Sequence, residues 1–191
     1  MSSINEELIE AAQNGNTQGV IMALGKGADV NYKDENGRNA LMYAAYNGFA
    51  QIVVLCFAQD ADLNAKSDAD YTALDYACNN MQMEVVNLLV EKGAELGDKD
   101  SVLMFACDNG SIEIVKLAIE RGADVNLKGE GGMTNLMYAA WKGYTDIAKL
   151  LIENGADVNA KTDTGFTALK FATNYKHEKI IEILKKNGAK E

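Results

Sequence analysis

The sequence predicts an all-α solenoid, a linear array of stacked helix-turn-helix units joined by projecting hairpin loops. Two series of residues carry this prediction. Gly-Ala-Asp or a close variant recurs with its alanines at Ala28, Ala61, Ala94, Ala123, Ala156 and Ala189, spaced 33, 33, 29, 33 and 33. Leu41, Leu74, Leu103, Leu136 and Leu169 are spaced 33, 29, 33 and 33. The two markers keep one register and share one four-residue loss. Self-similarity at a fixed period marks an array in which each unit packs on its neighbours. A composition of 48% hydrophobic and 24% charged residues supports a folded chain, because disorder needs few apolar residues under high net charge.

The elements of a unit follow in order. Asn39, Thr72, Ser101, Thr134 and Thr167 each stand two residues before a register leucine. All five are residue types that cap a helix by accepting from a free amide of its first turn. A short apolar helix follows, as in Leu41-Met42-Tyr43-Ala44-Ala45, and Gly48, Gly110 and Gly143 supply the left-handed turn that ends it. A second helix carries apolar residues at helical spacing, as in Ile147, Ala148, Leu150 and Leu151. It closes at Gly27, Gly93, Gly122, Gly155 or Gly188, and a turn-rich stretch such as Asp34-Glu35-Asn36-Gly37 reads as a hairpin tip. The four missing residues fall at 96–100 and predict one shortened hairpin and a notch in the row of hairpins. That notch reads either as neutral drift or as a gap for a protruding partner element.

Three segments carry a family resemblance: Asn39-Ala-Leu-Met-Tyr-Ala-Ala-Tyr-Asn-Gly48, Thr134-Asn-Leu-Met-Tyr-Ala-Ala-Trp-Lys-Gly143, and Ile147 through Asn159. With the 33-residue period they resemble the ankyrin repeat over essentially the whole chain. The resemblance implies a single domain over 1–191, in units of approximately 1–37, 38–70, 71–99, 100–132, 133–165 and 166–191. Where the family has Thr-Pro-Leu-His, this chain holds Ala40, Ala73, Val102, Asn135 and Ala168 for proline, and Met42, Asp75, Met104, Met137 and Lys170 for histidine. Asp60, Met81 and Lys176 stand where turn glycines belong, and a non-glycine left-handed residue costs about 1 kcal/mol. Gly19 and Gly25 fall in the second helix of the first unit, so that unit is expected to fray first.

Little in the chain points to chemistry. One histidine, His177, excludes schemes and metal sites that need two, and its position matches a structural histidine of the family. No phosphate loop is present; Gly129, Gly131 and Gly132 crowd a hairpin without the following lysine. Asp60-Ala-Asp62-Leu-Asn64 resembles the start of a calcium loop, but Ala65 and Tyr71 occupy the positions of its glycine and bidentate glutamate. Cys56, Cys78 and Cys107 read as small buried hydrophobes of a reducing compartment. No apolar run approaches the ~20 residues of a membrane helix, and without a basic and then apolar stretch at its start the sequence is not expected to carry a Sec-type signal.

Charge is uneven. Residues 1–100 carry 6 basic and 16 acidic side chains and residues 101–191 carry 12 of each, so the net charge of −10 lies in the first half. The acidic surface reads either as solubilising or as steering toward a basic partner. Phosphate binding needs clustered Lys and Arg, so nucleic acid is not an expected partner. The resemblance implies that partners bind a concave face built from hairpins and first helices. Transferred by register, that face places Arg38, Tyr46, Tyr71, Met133, Trp141, Phe166 and Tyr175 as the partner-binding residues. Aromatics and arginine dominate interface hot spots. A second series, Tyr43, Tyr76, Phe105, Tyr138 and Phe171, is expected to stack between units, with a contribution to the binding groove second. The leading reading is a cytoplasmic, monomeric protein-interaction scaffold with no catalysis, cofactor or metal, and without a membrane partner. Its partner is a protein, one with a basic patch on the steering reading. The alternatives are a small-molecule-binding or enzymatic repeat protein, which needs convergent polar groups in a closed pocket, and a self-associating module, which needs an apolar end face.

Overall fold

The computed structural model describes residues 3–190. Twelve α-helices form among them: α1 Ile4–Gln13, α2 Thr17–Gly25, α3 Ala40–Asn47, α4 Ala50–Phe57, α5 Ala73–Asn79, α6 Met83–Glu91, α7 Lys99–Asn109, α8 Ile112–Glu120, α9 Asn135–Lys142, α10 Thr145–Glu153, α11 Ala168–Asn174 and α12 Glu178–Lys186. The chain divides into two compact halves, Met1–Asp98 and Lys99–Glu191. Within the N-terminal half, α1, α3 and α5 pack in one layer and α2, α4 and α6 in another, each odd helix against the even helix that follows it. Within the C-terminal half, α7, α9 and α11 and then α8, α10 and α12 repeat that plan. The fold is an all-helical solenoid, as the period predicts.

Local chemistry places the helices. Asn39, Thr72, Thr134 and Thr167 are extended residues whose side chains accept from the amides of Met42, Asp75, Met137 and Lys170. Such a cap contributes about 1 kcal/mol. Leu41, Leu74, Leu103 and Leu136 are almost fully buried between the layers. Burial of each stabilises by about 1.5–3 kcal/mol. Asp60, Met81 and Lys176 do adopt the left-handed backbone the missing glycines imply, at φ 57°, 57° and 58°. Asp70, which the sequence did not single out, joins them at φ 66°.

The four-residue loss falls at 96–100, as the spacing predicts, and it removes the hairpin there. Before α3, α5, α9 and α11 a hairpin closes with a backbone hydrogen bond across four residues, the amides of Asp34, Ser67, Gly129 and Thr162 donating to the carbonyls of Arg38, Tyr71, Met133 and Phe166. Residues 96–100 form no such loop, because Lys99 and Asp100 already belong to α7. Ser101 consequently lies inside α7 and does not cap it. The helix has grown backward by about one turn relative to α3, α5, α9 and α11, so an earlier helix start takes the place of the hairpin.

This start reproduces the start of α1. Asn5, the second residue of α1, accepts from the amide of Asp29 at 2.9 Å, and Asp100, the second residue of α7, accepts from the amide of Asp124 at 2.7 Å. Elsewhere that role falls to an asparagine of the preceding Asp-x-Asn: Asn31 to Asp62, Asn64 to Glu95, Asn126 to Asp157 and Asn159 to Lys190. The aspartates of that motif accept from the amides of Asn31, Asn64, Asn126 and Asn159, which accounts for the calcium-like pattern structurally. Further bonds recur between the halves at one constant offset. Lys33 Nζ donates to the Lys66 carbonyl and Lys128 Nζ to the Lys161 carbonyl. Gln82 Nε2 donates to the Tyr46 carbonyl, and His177 Nε2 lies 3.1 Å from the Trp141 carbonyl. Phe49 covers Gly15 as Tyr144 covers Gly110, and there a methyl group would collide with the ring. The chain is thus two counterparts of one three-pair plan.

Cys56 and Cys107 are fully buried and Cys78 is 1% exposed, and all three are free thiols. Burial pushes each thiol up to about 12, helped at Cys78 by the charge of Asp75. The thiolate is the reactive form. The native protein is therefore expected to give no fast reaction with a disulfide reagent at mildly alkaline pH, and full reaction once denatured. A stoichiometric native burst would contradict this packing.

Candidate functional site

In the N-terminal half the hairpin before α3 organises an aromatic cluster. Asp34 Oδ1 accepts from the amides of Asn36 and Arg38, both at 2.9 Å, and its Oδ2 accepts from the Tyr43 hydroxyl at 2.6 Å. Burial pushes the Asp34 carboxyl up, and these hydrogen bonds outweigh it and hold the group below its usual range. The closed hairpin sends Arg38 across the first helices. Its guanidinium lies 4.9 Å from the Tyr76 ring and 5.7 Å from the Tyr43 ring, and Nε donates to the Tyr76 hydroxyl at 3.1 Å. Tyr46 and Tyr71 meet the Tyr76 ring edge-on, at 6.2 Å and 5.6 Å. Tyr76 is 5% exposed and forms the floor, whereas Tyr46 is 43% exposed.

The structure thus gathers Arg38, Tyr46 and Tyr71 around one buried ring. The expected stacking of the recurring aromatics is not how they are used within this half. Arg38 fills the space between Tyr43 and Tyr76, because the hairpin delivers a flat cation there. Tyr43 and Tyr76 are therefore part of the cluster, the second of the two roles the register gives them. The signal was present in the sequence as an arginine flanked by tyrosines of adjacent units.

In the C-terminal half the corresponding positions are less polar. Trp141 meets Tyr175 edge-on at 6.3 Å, and Tyr175 stacks on His177 at 6.3 Å. Lys142 Nζ sits 4.8 Å from the Trp141 ring and 3.1 Å from Asp108. Phe166 packs on Phe171 at 5.6 Å as a separate pair. Met133 closes its own hairpin, half-buried, and takes no part in these ring contacts. Phe166 and Tyr175 are 37% and 54% exposed. His177 is the residue preceding α12, at its N-cap, and its ring is held by the Trp141 carbonyl, Tyr175 and Gly143. That is a packing role. Among the described residues no group of three or more His, Cys, Asp or Glu side chains is arranged to hold a metal ion.

Each cluster presents rigid rings on residues of the odd-numbered helices and hairpins, with a cation over a ring face. Such a surface is suited to contact by shape and by apolar and cation–π interaction. The profile of the family described as ankyrin repeats (3 copies) matches residues 8–100 and again 103–191. The chain belongs to the ankyrin repeat family. The two matches begin at equivalent residues, Leu8 in α1 and Leu103 in α7. No curated protein sequence matches the chain.

Solved structures agree. A chain of the complex between the Bd0816 predatory endopeptidase from Bdellovibrio bacteriovorus and immunity protein Bd3460 is 29% identical, with a TM-score of 0.77 over 97% of this chain and 99% of that one. EF0377, an ankyrin repeat protein, is 27% identical, with a TM-score of 0.74 over 97% and 98%. The human ASB11 ankyrin repeat domain, at 24% identity and a TM-score of 0.75 over 96% and 84%, is similar in fold. Ankyrin repeats are in general protein-interaction modules without catalytic activity.

Proposed function

We propose that this chain is a non-catalytic scaffold that binds a protein partner through the hairpins and first helices of each half. The observation that carries this reading is the convergence of Arg38, Tyr46 and Tyr71 on the Tyr76 ring, with Trp141, the counterpart of Tyr46, paired with Tyr175 in the other half. Such residues supply most of the energy in protein interfaces when they stand on a rigid support. Phe166 and Met133 extend the same surface of the C-terminal half. The acidic excess of the first half suits a partner with a basic patch, whose approach it accelerates at low salt. The similar chain from the endopeptidase–immunity protein complex supports a role in binding another protein. The scaffold works as a monomer in the cytoplasm, where its three buried thiols stay reduced.

The test is affinity capture from source lysate by the wild type, Tyr71→Ala, Trp141→Ala and the double variant, at low and moderate salt. A captured protein is expected to be lost from the double variant, each truncation weakening binding by about tenfold or more. Melting curves of each variant separate lost binding from lost fold. Equal capture by all four forms would sink the assignment of these surfaces.

A further inference from the structure

The even-numbered helices of the N-terminal half carry a second surface, away from the aromatic cluster. Ile21, Val54, Leu55, Glu84 and Leu88 from α2, α4 and α6 help line a shallow groove of about 370 Å³. Ile21 is 45% exposed and Val54 is 49% exposed, and neighbouring Met22 is 52% exposed. Exposed apolar side chains grouped in one groove mark interaction sites more than singly scattered ones do.

The C-terminal half serves as an internal control. It builds the same three-pair plan, and the counterparts of Ile21, Val54 and Glu84 are Lys116, Lys149 and Lys179, all exposed. Helices α8, α10 and α12 form with those lysines in place. Apolar side chains at these positions are therefore not required by the fold. The N-terminal half holds two apolar residues and a carboxylate where its counterpart holds three cations. Helix α4 also carries no charged residue, unlike α10.

We propose that the α2–α4–α6 groove docks one amphipathic helix of a partner protein, with leucine-like residues on one face and lysine or arginine on its flanks. Geometry favours a helix. Packed helices lie about 8–10 Å apart, so side chains presented by successive even helices recur at about that spacing. An incoming helix repeats its apolar face at i and i+7, about 10.5 Å apart. Charge selects the sign of the flanks, because Glu84 lines the groove and the net charge of −10 lies in this part of the chain. The same charge opposes a second N-terminal half as occupant.

The probe is a fluorescent synthetic helix of about five turns, leucine on one face and lysine on the flanks, titrated by anisotropy against the full chain near physiological ionic strength. Ile21→Gln/Val54→Gln is expected to weaken binding by about tenfold or more. Lys116→Gln/Lys149→Gln is expected to leave it unchanged, as is Tyr71→Ala/Trp141→Ala, which separates this groove from the aromatic surfaces. A glutamate-flanked isomer of the peptide should bind far more weakly. Val54→Thr, nearly isosteric, gives a second reading if the double glutamine variant melts early. Equal affinity for wild type and groove variants overturns the proposal, as does tight binding of the glutamate-flanked helix. A wild-type dimer that Ile21→Gln/Val54→Gln dissolves would also overturn it, by assigning the groove to a second copy.

Discussion

Asp75→Ala is expected to destabilise the N-terminal half by about 3 kcal/mol, among the largest effects available to a single substitution that removes no apolar core. Asp75 is fully buried at the start of α5. Its Oδ2 accepts from the Thr72 amide at 2.8 Å and lies 2.9 Å from the Thr72 hydroxyl. The Gly97 amide donates to both carboxylate oxygens, at 3.0 and 2.9 Å, and the Asp98 amide approaches Oδ1 at 3.4 Å. Burial pushes the carboxyl up, and the amides of Thr72, Gly97 and Asp98 act against it. The equivalent residue of α7, Met104, lies against Gly129 of the closed hairpin that follows. Here the hairpin is absent, and a side chain supplies the acceptors that its backbone would have provided. Alanine leaves the amides of Thr72 and Gly97 short of acceptors inside the protein. Asparagine keeps one oxygen but turns a donor toward Gly97 and Asp98, so it should recover part of the loss only. The measurement is urea unfolding followed by pulsed alkylation of Cys56 and Cys78, which lie in this half. An Asp75→Asn protein more stable than wild type would show the carboxylate to be a desolvation cost and not an anchor.

Most of the fold was legible because a repeat states its rules several times. Asn39, Thr72, Thr134 and Thr167 are caps at the positions the spacing implies, and Asp60, Met81 and Lys176 take the backbone their missing glycines require. Ser101 fails because a spacing of 29 has two physical solutions, a cut hairpin or a new helix start. Spacing counts residues and cannot separate them. The distinguishing signal was Asp98-Lys99-Asp100-Ser101-Val102-Leu103, which matches Ser3-Ile4-Asn5-Glu6-Glu7-Leu8 better than it matches any hairpin. It becomes visible when halves are compared with halves. The binding surface was legible only in part. Register placed Arg38, Tyr46 and Tyr71 together, but the roles of Tyr43 and Tyr76 depend on where the Asp34 hairpin sends the guanidinium. The α2–α4–α6 groove escaped because Ile21 and Val54 read as ordinary helix residues until Lys116 and Lys149 are set beside them.

Leu41→Ala and Leu136→Ala are expected to act on different halves of the same chain. The two leucines occupy counterpart positions in α3 and α9, at 0% and 1% exposure. Each truncation removes a buried isobutyl group and leaves a cavity, at a cost of about 3 kcal/mol. At the urea dependence of a small domain this shifts a midpoint by roughly 1–2 M. In an array whose neighbours are coupled throughout, either change lowers every midpoint together. Here each half begins with a helix of the same kind, α1 or α7, and builds its own two layers. The Asp124 amide takes its acceptor from Asp100 in the same half, as the Asp29 amide does from Asn5. Leu41→Ala is therefore expected to advance the alkylation of Cys56 and Cys78 and leave Cys107 and Trp141 emission near their wild-type midpoints. Leu136→Ala should do the reverse. Trp141 is the single tryptophan, so its emission reports on the C-terminal half alone. Circular dichroism, which sees all the helices, should broaden or split in both variants, because two transitions no longer coincide. A common shift of all four probes in either variant would make the chain one cooperative array, with the α7 start a local irregularity rather than the beginning of a second folding unit.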